Sequence, residues 1–154
     1  MRQLTAFAAG LVILSAAPAQ EKKSAPLPRY GVAPDLDTYP QASAKQAVGS
    51  ILKSLDRKRI DYLVAHLAEP GFVDEKVKAQ LGNFDEVVRE VTDHFNDDPK
   101  RTDEFRRFLK EGTLEESGTT AKVTLKDVPT RHITLRQIEG RWFMNNDVES
   151  EKGK

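Results

Sequence analysis

The 154-residue chain has no cysteine. That excludes disulfides, thiolate-bound metals, a cysteine nucleophile and a lipid-anchored N-terminal Cys. Stability has to come from packing and secondary structure alone. Net charge is missing as well, since 24 Lys and Arg face 24 Asp and Glu. A balanced chain carries no electrostatic footprint for nucleic acid or for an anionic membrane. Trp occurs once and His three times, and the sequence contains no Gly-rich phosphate loop, Gly-x-Ser-x-Gly elbow, His-Glu-x-x-His or Asn-x-Ser/Thr.

What is present begins with a leader-like stretch. Arg2 is a short positive region, Leu4 to Ala16 is largely apolar around Leu11-Val-Ile-Leu14, and Ala17-Pro18-Ala19 places small residues where a signal peptidase reads. Residues 1–19 are therefore expected to be a cleaved signal peptide. The apolar run is too short to span a bilayer well, so no integral membrane segment is expected after cleavage. Cleavage removes only Arg2 among the charged residues and leaves one more acid than base. The expected location is periplasmic or extracellular.

Residues 20–42 hold Pro26, Pro28, Pro34 and Pro40 among Lys, Ser and Ala. A flexible linker is expected there, with Tyr30, Leu36 and Tyr39 as its docking residues if it docks at all. A single folded domain is expected from residue 43 to 148, followed by a charged tail, 149–154.

Ser43-Ala-Lys-Gln46 fits a capping box, and Ala44, Ala47, Val48, Ile51, Leu52 and Leu55 follow at helical spacing. After Asp56-Arg-Lys-Arg59, the residues Ile60, Leu63, Val64 and Leu67 resume the pattern. Asp61 is placed to cap this second helix, and Pro70-Gly71 to end it. Asp74 is expected to cap a short helix that buries Val77 and Leu81 and stops at Gly82. Asn83-Phe-Asp-Glu86 resembles another capping box, ahead of Phe84, Val87, Val88, Val91 and Phe95. Asp98-Pro99 opens a further helix with Phe105, Phe108 and Leu109 on its apolar side, closed by Gly112.

From Thr113 the period changes from helical to alternating. Leu114–Ser117 is an edge-strand candidate. Ala121, Val123 and Leu125 alternate with polar residues, and Val128-Pro129-Thr130 connects to a hairpin. That hairpin, Arg131 to Asp147, folds at Glu139-Gly140. The fold pairs Ile138 with Arg141, Gln137 with Trp142, Leu135 with Met144 and Ile133 with Asn146. Ile133, Leu135, Gln137, Trp142, Met144 and Asn146 then share one face, while His132 faces Asp147 on the other. Helices followed by antiparallel strands give an α+β domain, with N-terminal helices on one face of a curved C-terminal sheet.

Three features carry a family resemblance: the long first helix Ala47–Leu55, Asp61-Tyr-Leu63 at the start of the second, and Ile138-Glu-Gly-Arg-Trp-Phe143 in the last hairpin. Over about residues 40–148 the chain resembles the nuclear-transport-factor-2-like superfamily, which includes ketosteroid isomerase and the SnoaL-like proteins. The resemblance implies a cone-like fold. In its enzymes, an acid or Tyr sits in the cone under an apolar sheet. It carries no catalytic residue across by motif, so no catalytic residue, cofactor or metal ligand is assigned. Asp61 is read as an N-cap, Tyr62 as a core-edge aromatic with its hydroxyl in water, and His66 and His94 as polar-face residues. Tyr62, Leu135, Gln137, Trp142, Met144 and Asn146 are the ligand-facing candidates. The expected function is an exported, non-catalytic domain that binds a small apolar ligand or a protein partner through the sheet face. The alternatives are an isomerase- or dehydratase-like enzyme and a module that forms a homodimer through its sheet.

Overall fold

The computed structural model describes residues 26–145. The expectations for the signal peptide, for Asn146 and Asp147, and for the charged tail lie outside the described residues. The elements run α1 (Ala44–Asp56), α2 (Ile60–Tyr62) continuing directly into a π-helix (Leu63–Leu67), α3 (Pro70–Ala79), α4 (Phe84–Asp97) and α5 (Pro99–Glu111). The strands β1 (Thr113–Ser117), β2 (Thr120–Leu125), β3 (Val128–Ile138) and β4 (Arg141–Asn145) follow. The strands form one antiparallel sheet in the order β1-β2-β3-β4, and the helices pack against it. This is the expected α+β order.

Helix starts follow the capping chemistry in three places. Ser43 Oγ accepts from Gln46 N–H at 3.2 Å, the first half of the box at α1, while Gln46 Oε1 reaches one residue further back and accepts from Ala42 N–H at 3.0 Å. Asn83 Oδ1 accepts from Glu86 N–H at α4, and Asp98 Oδ1 from Arg101 N–H at α5, with Pro99 in the first turn. Gly112 ends α5. A Cβ there would run into the Phe108 carbonyl oxygen and Val123 Cγ1, so α5 meets β2 only because the side chain is missing.

Other boundaries differ from the expectation. Asp61 caps nothing. Arg59 Nε and Nη2 grip both of its carboxylate oxygens at 2.8 Å, so local ion pairing wins over the cap. The second helix stops at Leu67, where Ala68 bridges to Met144 and Glu69 N–H donates to Met144 O at 2.9 Å. Pro70 then begins α3 rather than ending α2, because its fixed φ and missing N–H suit a first helical turn. Asp74 sits inside α3. Val77 is buried, but Leu81 is 98% exposed at positive φ in the turn to α4.

The hairpin register is as expected within the described residues, with Ile138 opposite Arg141, Gln137 opposite Trp142 and Leu135 opposite Met144. Glu139 and Gly140 both take positive φ, 49° and 76°, as a tight two-residue turn of this hand requires. Val128-Pro129-Thr130 is the first part of β3 rather than a connector.

One core cluster joins α1, α2, α5 and the inner sheet face through Ile51, Leu55, Tyr62, Phe108, Leu135 and Trp142. A second joins the π-helix, α3 and α4 through Val64, Val73, Val77, Phe84 and Val87. Two buried serines on α1 are satisfied locally: Ser50 Oγ donates to Pro40 O and Ser54 Oγ to Ile51 O, each at 2.7 Å.

The segment before Ser43 departs most from the expectation. Residues 26–42 lie on the domain as a strap rather than as a tether. Tyr39 is in the core, its ring stacked on Tyr62 at 4.2 Å. Gln41 is 2% exposed, and its carboxamide bonds two separate elements. Aromatic burial and these bonds outweigh the local preference of a proline-rich stretch for disorder.

Candidate functional site

Two mismatches in length open a cleft. The apolar stripe of α4 is longer than its neighbours can cover. Phe84 and Val87 are buried, whereas Val88, Val91 and Phe95 are only half-buried. On the sheet, β3 runs for 11 residues, and β4 pairs with it only from Thr134 onward among the described residues. The projecting part of β3 and the uncovered end of α4 bound an open cleft of about 1150 Å³.

Leu63 and Val64 of the π-helix, Phe72 and Val73 of α3, and Met144 of β4 supply one apolar wall. Val91, Phe95, Phe105 and Phe108 supply the helical wall, with the Phe95 and Phe105 rings 5.9 Å apart. Thr102 Oγ1 donates to Phe95 O at 2.7 Å and fixes the corner between α4 and α5. Charges line the rim. Arg131 pairs with Glu104 at 2.6 Å and Arg89 with Glu86, while His94 and His132 stand exposed. Lys76, Glu90, Asp93, Asp97 and Arg101 line the cleft as well, so the apolar walls open onto a strongly charged rim.

The ligand-facing candidates divide. Met144 lines the cleft and is half-buried. Leu135 and Trp142 are buried in the core and do not line the cleft. Gln137 is half-buried near the hairpin turn, away from the cleft, and its main-chain N–H donates to Thr119 O at 2.7 Å. Asn146 lies outside the described residues. Tyr62 is buried and its hydroxyl, rather than reaching water, accepts from Asp35 N–H at 2.9 Å; burial raises its pKa. Leu135, Gln137, Trp142 and Met144 share one face of the hairpin, as the alternation has it. That face is covered by α1 and α5, and the cleft lies at the sheet's end.

The acid–base candidates of the second helix, Asp61 and His66, are tied down away from the cleft. The Asp61 pKa is lowered, chiefly by its bonds to Arg59, so it stays an ionised ion-pair partner. His66 is not on a polar face: it is 2% exposed, with Nε2 2.8 Å from Val32 O. Burial lowers its pKa. Neither residue lines the cleft. Among the described residues no group of three or more His, Cys, Asp or Glu is placed to hold a metal ion, and no helix is long and apolar enough to cross a membrane.

Sequence reasoning missed the contribution of α4 and α5. The signal was available: Phe84, Val87, Val88, Val91 and Phe95 form a stripe of about three turns, and the preceding helix offers only Phe72, Val73 and Val77 to cover it. Compared with family models, curated proteins and solved structures, the chain matches none.

Proposed function

We propose that this chain is an exported, non-catalytic domain that binds a small apolar ligand in the cleft between α4, α5 and the projecting end of β3. The supporting observation is the cleft itself: about 1150 Å³, with an apolar interior of Leu63, Val64, Val91, Phe95, Phe105 and Met144. Burying apolar ligand surface there is favourable by about 25 cal/mol per Å² before the cost of association.

A binding role fits better than catalysis because Asp61, Tyr62 and His66 are engaged in structural bonds away from the cleft, while its own histidines, His94 and His132, stand exposed at the rim. Dimerisation through the sheet finds little support. The outer face presents Lys122, Thr124, Thr134 and Arg136, and Phe143 on that side is already buried. Kinship with the nuclear-transport-factor-2-like superfamily remains part of this proposal. It is supported by the helices-then-meander order and the Gly-Arg-Trp hairpin. Export is read from Met1–Ala19, and N-terminal sequencing of the mature protein tests it, with Gln20 as the expected first residue.

Titration with the neutral apolar dye Nile red tests the binding role. Wild type should bind it saturably. Val91→Glu places a charge in the half-buried wall and should weaken binding by about tenfold or more without unfolding the domain. Binding that is absent, or untouched by Val91→Glu, would remove the cleft from consideration.

A further inference from the structure

The segment from Arg29 to Asp35 is a small hairpin strapped over the π-helix. Arg29 and Val32 exchange both main-chain hydrogen bonds, at 3.1 and 2.9 Å, around Tyr30 and Gly31, which both take positive φ. Val32 packs against both core clusters, and Asp35 N–H donates to the Tyr62 hydroxyl at 2.9 Å. Arg29 Nη1 donates to Ala65 O and Nη2 to Pro70 O, each at 3.2 Å, and the guanidinium pairs with Asp74. Tyr30 stacks on Phe84 at 4.6 Å, and its hydroxyl reaches Asp74. The imidazole of His66 holds Val32 O. The strap thus joins the π-helix, α3 and α4, which are the elements that carry Leu63, Val64, Val73 and Val87 into the cleft.

We propose that this strap is an acid-released latch, with His66 as its trigger. A carbonyl oxygen can only accept, so Nε2 carries the hydrogen at neutral pH and Nδ1 is the basic atom. Nδ1 has no hydrogen-bond partner among the described residues.

Protonation puts a full charge into a buried site that offers no free carboxylate. The groups around it are Arg29 from the strap, Arg141 from β4, and Tyr62 and Asp61 from α2. Asp61 is held by both arms of Arg59, and Asp74 of α3 is shared by Arg29 and Tyr30. Burial, aided by Arg29 and Arg141, outweighs the Val32 carbonyl and Asp61, which favour the imidazolium, and holds the imidazole below its ordinary pKa of 6.5. Lifting the strap hydrates the imidazolium and separates His66 from Arg29, and it takes Val32 off both core clusters and Tyr30 off Phe84. The latch works whether or not the cleft holds a ligand, so failure of the binding proposal leaves it standing.

Hydrogen–deuterium exchange on the full chain, corrected for intrinsic rates, tests the latch near pH 7.5 and pH 5. Protection of residues 29–35 should fall by about tenfold or more at the lower pH while β2 and β3 keep theirs. In His66→Gln the side-chain amide still donates to Val32 O but cannot titrate, and the pH difference should disappear. Equal strap protection at both pH values in wild type, or an undiminished loss in His66→Gln, overturns the latch. If that variant does not fold, NMR of the wild type decides. The His66 ring and the Val32 amide should titrate with one midpoint, and a strap amide that ignores the His66 titration overturns the proposal.

Discussion

Gln41 and Trp142 are locked together in both directions. Trp142 N–H donates to Gln41 O at 2.9 Å, and Gln41 Nε2 donates back to Trp142 O at 2.8 Å. The same amide nitrogen also reaches His66 O at 2.9 Å. One side chain thus closes the free edge of β4 and ties it to the π-helix. Facing two carbonyls, the amide can only present its nitrogen. Its oxygen is buried without a partner among the described residues, which is the cost of that orientation.

Gln41→Leu should therefore destabilise the domain by about 1–3 kcal/mol, because two buried carbonyls lose a donor. Chemical denaturation of wild type and variant measures it. A change near zero would mean that water replaces the amide and that the edge of β4 is open.

Trp142→Ala should cost about 3–5 kcal/mol, as expected for a large aromatic that is 3% exposed in the main core cluster. Its effect on Nile red binding should only follow stability, since the ring does not line the cleft. Lost binding in a variant that remains folded would place the site on the sheet face after all.

Gln137→Leu separates the two locations in the opposite sense. The side chain has no hydrogen bond among the described residues and stands apart from the cleft, so stability should stay within about 0.5 kcal/mol. Dye affinity should be unchanged. A sharp loss of either would show that the amide has a partner.

Gly112→Ala should destabilise by about 1–3 kcal/mol through overpacking against Phe108 O and Val123. Backbone strain plays no part, because φ at Gly112 is −65°. A neutral substitution would mean that α5 slides freely over β2.

The pH dependence of global stability has a definite sign. His66 has a folded pKa below its ordinary 6.5. Between the two values the unfolded chain binds a proton that the folded chain refuses, so stability rises with pH there. Its contribution is whole above 6.5 and is lost as pH falls through the folded value. Asp61, lowered from 3.8, acts only in more acid solution. Thermal unfolding across this range should fall less steeply in His66→Gln than in wild type. Superimposable curves would argue against a buried neutral imidazole.

Much of this fold can be read locally. The caps at Ser43, Asn83 and Asp98 are signalled within four residues, and the β3–β4 register follows from a period of two around Glu139-Gly140. What escapes local reading is set by distant partners. Gln41 meets Trp142 across 101 residues, and nothing in a proline-rich stretch marks Tyr39 or Gln41 for burial. Asp61 carries an equal local case for capping and for pairing with Arg59, and the bidentate geometry decides it. Pro70 can follow one helix or begin another, and the bridge at Ala68 settles which. The cleft arises from elements of unequal length, so of the described hairpin candidates only Met144 lines it, while Leu135 and Trp142 are buried and Gln137 stands apart.

The most direct test of the binding account is a methyl NMR map of wild-type protein titrated with Nile red. The methyls of Leu63, Val64, Val91 and Met144 should shift and saturate together, while those of Leu135 and Val123 in the sealed core stay still. Shifts centred on the outer sheet face, or saturation with no response from the cleft methyls, would contradict it.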